Sequence, residues 1–382
     1  MKNEDDYVLM QEDIEEWLNS QDNFGKELWE ELVYLRQRPL KKRKYESQNR
    51  LDKPVAVFSK EERLKNGMGT EITLIFRSSA CSWAKSKSGG CTMCGYWNDR
   101  APETITGENY WNQFQASLLK NKSLLEEPSS KIVFKIFTSG SFCDPKEIPI
   151  EIQLRILKIL GEYPTIKEIV IESRPEYITM HILEQYKPFL EGKYFEIGVG
   201  LETSSDFVRT NLINKGFNFT SFLSATELLH SFKFGIKAYI LFKPPFMNEY
   251  CAIQDTYRSI RTCVENNVDT ISINPTNIQM NTICNELEKS RQFRSPWLFS
   301  LLWLLKNAIT NEELKKTRII CDPSAAGKER GVHNCHPFDE SNDFSLEILH
   351  EFVKTQNLDV IPASFDGRCW EDYVFEILLE NG

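Results

Sequence analysis

From residue 71 onward the chain alternates short apolar or β-branched runs with longer stretches of helical period, and the alternation repeats six times. That pattern predicts parallel strands joined by crossover helices. The strand runs are 71–79 (EITLIFRSS), 131–140 (KIVFKIFTSG), 166–174 (IKEIVIESR), 194–203 (YFEIGVGLET), 236–245 (IKAYILFKPP) and 268–277 (VDTISINPTN). Between them, across 151–161, 179–191, 220–233 and 252–266, apolar residues return every three or four positions, as Ile152, Leu154, Ile156, Leu157 and Leu160 do. Strands that are apolar almost throughout are covered on both faces, which leaves a barrel or an open doubly wound sheet. The reading preferred here is α/β, a curved partial (β/α)6 TIM-like barrel over 66–310. A helical extension over 1–65 precedes it, and a small α/β segment over 311–382 follows, with a strand-like run at 317–323 and a helix at 345–358.

Composition narrows the setting. The longest strongly apolar run, WLFSLLWLL at 297–305, is too short to cross a bilayer, so no membrane partner is expected. The first residues are acidic where a secretion signal is basic and then apolar, which points to the cytoplasm and to reduced thiols. The ten cysteines therefore read as ligands or small buried hydrophobes rather than as disulfides. Residues 1 to 31 hold eleven acidic against two basic side chains, which equals the whole net charge of −9. The run RQRPLKKRK at 36–44 is either a solvated surface stretch or a phosphate-contacting arm, and it is the local RNA candidate in an otherwise acidic chain.

Functional residues of parallel barrels gather at the carboxyl ends of strands. Here the first strand runs into CSWAKSKSGGCTMCGYW, and the next five end in TSGSFCDP, ESRPE, LETSSD, KPP and NPTN. Turn chemistry explains any one of these endings, but not six in succession beside Cys81, Cys91 and Cys94. A structural zinc or an ordinary 4Fe-4S cluster takes four protein ligands, so three thiols leave one position open.

The C-x9-C-x2-C spacing, with TSGSF after the second strand and ESRPE after the third, resembles the radical S-adenosylmethionine (SAM) superfamily and its Elongator-like branch. The set GCTMCGYW, TSGSFxD, ESRPE, GLET, NPTN and a late CDP…RGxHNC element is similar to the archaeosine synthase radical SAM subunit family, over roughly residues 66 to 336. The resemblance implies that Cys81, Cys91 and Cys94 ligate a 4Fe-4S cluster whose open iron binds SAM, with Met93 and Tyr96 near the cofactor. It places Ser139, Gly140 and Ser141 at the methionine amino group and gives SAM polar contacts to Glu172 and Arg174. Glu202 is a contact of either cofactor or substrate, and Lys243 and Asn274 are substrate candidates. The implied reaction is a lyase step on archaeal tRNA, in which lysine-adducted 7-cyano-7-deazaguanine at position 15 becomes archaeosine by radical-initiated C–N cleavage. The implied partners are that tRNA, the lysine-transferring subunit and an electron donor.

Cys321, His333, Cys335 and His336 have a spacing compatible with a structural zinc. The family pattern places a further cysteine at 338, where this chain has Phe338, so His336 or the distant Cys369 is the alternative fourth ligand. Cys143, Cys251, Cys263 and Cys284 read as small hydrophobes, and His181, His230 and His350 as packed or surface residues. The rival readings are another Elongator-like RNA-modifying enzyme, or an interaction module with zinc at Cys81, Cys91, Cys94 and Cys143. The first is disfavoured because the residues outside the barrel leave no space for the extra domain of such branches.

Overall fold

The computed structural model describes residues 30–31, 34–35, 48–101, 103–335 and 340–381. Its centre is one eight-stranded sheet in strict chain order: β1 (Ala56–Leu64), β2 (Gly67–Ile75), β3 (Ile132–Phe137), β4 (Ile166–Glu172), β5 (Tyr194–Glu202), β6 (Gly235–Phe242), β7 (Thr270–Pro275) and β8 (Arg318–Ile320). β1 and β2 form an antiparallel hairpin, and every later neighbour pairs in parallel. The connections carry α1 (Gly107–Lys120), α2 (Ile150–Glu162), α3 (Met180–Tyr186), α4 (Phe219–Ser231), α5 (Glu249–Glu265) and α6 (Leu298–Ala308); α7 (Glu340–Thr355) and α8 (Arg368–Glu380) follow β8.

The six strand–helix units expected from the alternation are therefore present, with two additions. The segment assigned to a helical extension contributes β1, whose sequence AVFSKEERL is too charged to read as a barrel strand. The strand-like run near 317 is β8, so the sheet continues past residue 310. Residues 1–29 and the basic run 36–44 lie outside the described residues.

Alternation within each strand sorts its side chains. On β4, Ile169 and Ile171 join the large apolar core, while Val170 packs with Leu64 and Val133 in a separate group. Glu168, on the same face as Val170, accepts from Arg318 of β8 at 3.0 Å, and Arg318 also donates to the Arg63 carbonyl of β1 at 3.1 Å. Strands that are far apart in the sheet order can meet only if the sheet curls, so these bonds establish the partial barrel. Its amino-terminal end is tied by buried ions: Lys135 lies 2.5 Å from Glu71 and 3.4 Å from Glu62, and Lys237 lies 3.3 Å from Glu196. Charges removed from water need such partners.

Helices cover the outer face. Ile152, Ile156, Leu157 and Leu160 of α2 are buried, as their spacing predicts. Thr106 and Asn109 cap α1 reciprocally, and Asn218 and Asn248 cap α4 and α5. The apolar run at 297–305 forms α6, buried on Leu298, Leu301, Leu302, Leu304 and Leu305. Among the described residues no helix is long and apolar enough to cross a membrane.

Candidate active site

The cysteine loop leaves β2 through Ala80, whose φ of 74° is left-handed and rare for a residue with a Cβ. Cys81 then starts a single helical turn, its Sγ accepting the Ala84 N–H at 3.2 Å, and Cys94 N donates to Cys91 O at 3.2 Å. The loop after β5 clasps this segment. Thr92 N bonds Ile213 O at 3.0 Å, and Asn214 donates to Ser88 O at 2.8 Å and to Gly90 O at 2.7 Å. Trp83 Nε1 donates to Asn214 O at 2.7 Å. Gly216 (φ 77°) lies flat against the indole, where a Cβ would come within 2.3 Å of the ring.

Burial, then Cys91 and Cys94, push the Cys81 thiol up to about 12. Burial also raises Cys91, opposed by Lys215 and Arg174. Cys81 and Cys91, desolvated and raised with Cys94 close by and Lys215 and Arg174 beside Cys91, form with Cys94 a donor set suited to a cationic iron centre, whose charge would replace their protons. Among the described residues no three Cys, His, Asp or Glu close on one point as a single metal ion needs.

The next strand ends converge on this loop. Ser141 Oγ accepts from Arg174 N at 3.1 Å, and Phe142 N donates to Glu172 O at 2.8 Å, so the turn at Ser139, Gly140 and Ser141 is fixed to the end of β4. The Arg174 guanidinium bonds Lys215 O at 2.9 Å and Glu176 at 2.5 Å, and lies 5.2 Å from the Trp83 ring. Burial pushes Glu172 up to about 7; Tyr239, Lys237 and Lys215 oppose the rise, while Glu202 adds to it. Glu202 ends β5 at a bulge with φ 68°, which turns its carboxylate onto Lys215 at 2.6 Å. Burial works against the Lys215 charge, and Glu202 and then Cys91 outweigh it, leaving the ammonium raised. Gly198 and Gly200 keep the interior open, since a Cβ would stand 2.7 Å from the Tyr239 ring or 2.4 Å from Lys215 Nζ.

Met93 packs beside Cys91, Val208, Ile213 and Leu241. Tyr96 is 59% exposed at the rim, near Glu172 and Cys94. Asn274 is half-buried on β7, with weak contacts to Ser272 of the same strand. Lys243, with φ 66°, is already occupied: its Nζ lies 2.9 Å from Glu249, whose other oxygen accepts from Trp297 N at 2.8 Å. Sequence reading missed Glu147, Asn214, Lys215 and Tyr239. Asn214, Lys215 and Gly216 stand in the run INKG after the fourth barrel strand, and that polar, glycine-bearing ending was the available signal.

Among the described residues the zinc candidates are not brought together at one point. Cys335 is joined to Cys369 in a disulfide within the aromatic group of Trp297, Phe299 and Tyr373, whereas Cys321 is buried in the main core. A sulfur committed to S–S bonding is not a thiolate donor, and His333 turns its Nδ1 to Gly331 O at 2.7 Å. His336 and Phe338 lie outside the described residues. The expectation that the cysteines are all unpaired is corrected at the same place. Cys143, Cys263 and Cys284 are buried as small hydrophobes.

No protein-family model matches the chain. It is 40% identical over 310 residues to the archaeosine synthase subunit beta of Methanosarcina acetivorans, covering 81% of this chain and 85% of that one. The chain belongs to the archaeosine synthase subunit beta family. A second member, from Thermococcus kodakarensis, is 32% identical over 328 residues, covering 85% of this chain and 96% of that one. The name makes each of these relatives one subunit of a larger enzyme. Among solved structures, the archaeal Methanocaldococcus infernus Elp3 with an N-terminal deletion is 15% identical, at a TM-score of 0.47. That match covers 65% of this chain and 59% of the Elp3 chain, less than two thirds of its length. Methylornithine synthase is 15% identical at a TM-score of 0.41, covering 80% of this family member and 85% of that chain.

Proposed function

We propose that this chain is a radical SAM enzyme acting on tRNA, the subunit that completes archaeosine. The observation that carries the reading is the meeting of Cys81, Cys91 and Cys94 with the Ser139–Ser141 turn, Glu172 and Arg174 at the carboxyl end of one partial barrel. Family membership supports the same reading.

Cys81, Cys91 and Cys94 would hold a 4Fe-4S cluster, and the open iron would take SAM. When bound, the two together supply reductive cleavage of the sulfonium and abstraction of a hydrogen atom from the substrate. The chain's own residues bind and orient. Arg174 offers a planar fork to a carboxylate, and Glu172 accepts from hydroxyl groups. The backbone of the turn at Gly140 would recognise an amino group, and Met93 and Tyr96 lie beside the cysteines. The Glu202–Lys215 pair presents one acid and one base beside Cys91, the complement of a zwitterionic lysyl end, and Asn274 lines the interior. Lys243 can contribute only if it leaves Glu249.

The reaction is the C–N lyase step that converts lysine-adducted 7-cyano-7-deazaguanine at position 15 of tRNA to archaeosine. Its partners are that tRNA, a lysine-transferring subunit and an electron donor. Lysine-adducted tRNA, dithionite and SAM, incubated with anaerobically reconstituted protein, should give archaeosine by nucleoside mass spectrometry. An active cluster with no product would move the assignment to another RNA substrate.

A further inference from the structure

We propose that Glu147 is a positioning residue, which locks the cysteine loop to the Ser139–Ser141 turn and so sets where SAM lies relative to the cysteines; this rests on the cluster and SAM reading above. The Glu147 carboxylate accepts from two loops that are far apart in the chain. Ser82 N and Ser82 Oγ donate to Oε1 at 2.7 and 2.8 Å, and Ser141 N donates to Oε2 at 2.7 Å. Ser82 directly follows Cys81, and Ser141 directly follows Gly140. One planar group thus joins the first cysteine to the backbone turn after β3, through the stronger, charge-assisted kind of hydrogen bond.

The fit is close on the third side as well. A Cβ at Gly140 would stand 1.7 Å from Glu147 Oε2 and 2.9 Å from the Cys81 Cα. With the carboxylate in place, no side chain fits between turn and cysteine loop, which accounts for glycine at 140 by contact rather than by backbone conformation. The one Ser82 hydroxyl proton is shared between Glu147 and Asp144, whose Oδ2 lies 2.7 Å from Ser82 Oγ, and the Asp144 carbonyl receives Glu147 N at 3.0 Å, so the segment carrying the strut is itself anchored. A ligand that spans the cysteines and the turn depends on the separation between them, and Glu147 fixes that separation. Its bonds go to backbone N–H groups and a hydroxyl, so its removal leaves all three thiols in the chain.

The test uses full-length protein reconstituted anaerobically with iron and sulfide, as wild type, Glu147→Gln and Glu147→Ala. Iron per chain, KM and kcat for reductive SAM cleavage, and the change in the reduced-cluster EPR signal on adding SAM are read in parallel. A wild type that takes up no cluster, or whose cluster ignores SAM, removes the underlying reading and the inference with it. With wild type loaded and responsive, Glu147→Ala is expected to keep its iron while KM for SAM rises about tenfold or more, as for loss of a charged hydrogen-bond set, with a smaller change in kcat and a diminished EPR response. Glu147→Gln, which keeps shape and one acceptor, is expected to fall between them and to remain folded. Unchanged KM and EPR response in the Gln and Ala variants would overturn the inference. Gly140→Ala gives an independent arm: it should raise KM in wild type and add less in the Glu147→Ala background, where only the 2.9 Å approach to the Cys81 Cα remains, and fully additive effects would contradict a shared contact.

Discussion

Lys215 Nζ and Glu202 Oε1 meet at 2.6 Å beside Cys91, in a site where both side chains are largely withdrawn from solvent. Removing one member of such a pair strands the other charge. Lys215→Met should lower stability by about 3–5 kcal/mol, whereas Lys215→Met with Glu202→Gln should recover a large part of that loss. Denaturant midpoints of the single and double variants check this, and an equal loss in both would show that the pair is not coupled.

Asn214 holds the cysteine loop from the opposite side. Its side-chain amide donates to both Ser88 O and Gly90 O. Asn214→Ala removes two bonds to backbone carbonyls, at about 1–3 kcal/mol for the groups left unsatisfied. Limited proteolysis should cut between Cys81 and Cys91 faster in this variant than in wild type, while sites on α2 and α5 stay equally protected.

Glu172 predicts a pH dependence. Burial raises its carboxyl to about 7, above its unfolded value of 4.5. A raised carboxyl binds a proton more readily in the folded chain, so the stability it contributes is complete below the unfolded value. That stability is lost as pH rises through about 7. Between pH 5 and 8 the Tm of cluster-free wild type should fall more steeply than that of Glu172→Gln. Parallel profiles would mean that Glu172 is not held in a desolvated site.

The Cys335–Cys369 bond spans 34 positions and joins the segment after β8 to α8. Closing a loop of that length contributes about 3–4 kcal/mol in the chain-entropy picture. Alkylation under denaturing conditions without reductant should leave two of the ten cysteines unmodified, and reductant should expose both and lower Tm. Ten alkylated cysteines without reductant would show that the bond is not formed.

Much of this was legible in the sequence where a local rule applied. The parallel strands are nearly continuous apolar runs, and α2 and α5 carry clear helical periods, so the barrel could be read directly. β1 could not: its Glu62 faces Lys135 of β3, and a charged strand is intelligible only once its partner is known. The site divides in the same way. Cys81, Cys91 and Cys94 announce themselves by spacing, whereas Glu147 is one glutamate among many until Ser82, which is 65 positions away, is seen bonded to it. Cys321 and Cys335 are close in sequence, yet Cys321 packs in the main core and Cys335 pairs with Cys369, a separation that sequence proximity does not reveal.

On the proposed reading, the three cysteines that follow β2 hold a cluster that cleaves SAM. The decisive measurement is of 5'-deoxyadenosine formed from SAM and dithionite by anaerobically reconstituted wild type and by Cys91→Ala. The wild-type protein should be brown and release 5'-deoxyadenosine, and the variant should be colourless and release none. Undiminished 5'-deoxyadenosine from Cys91→Ala would contradict that reading.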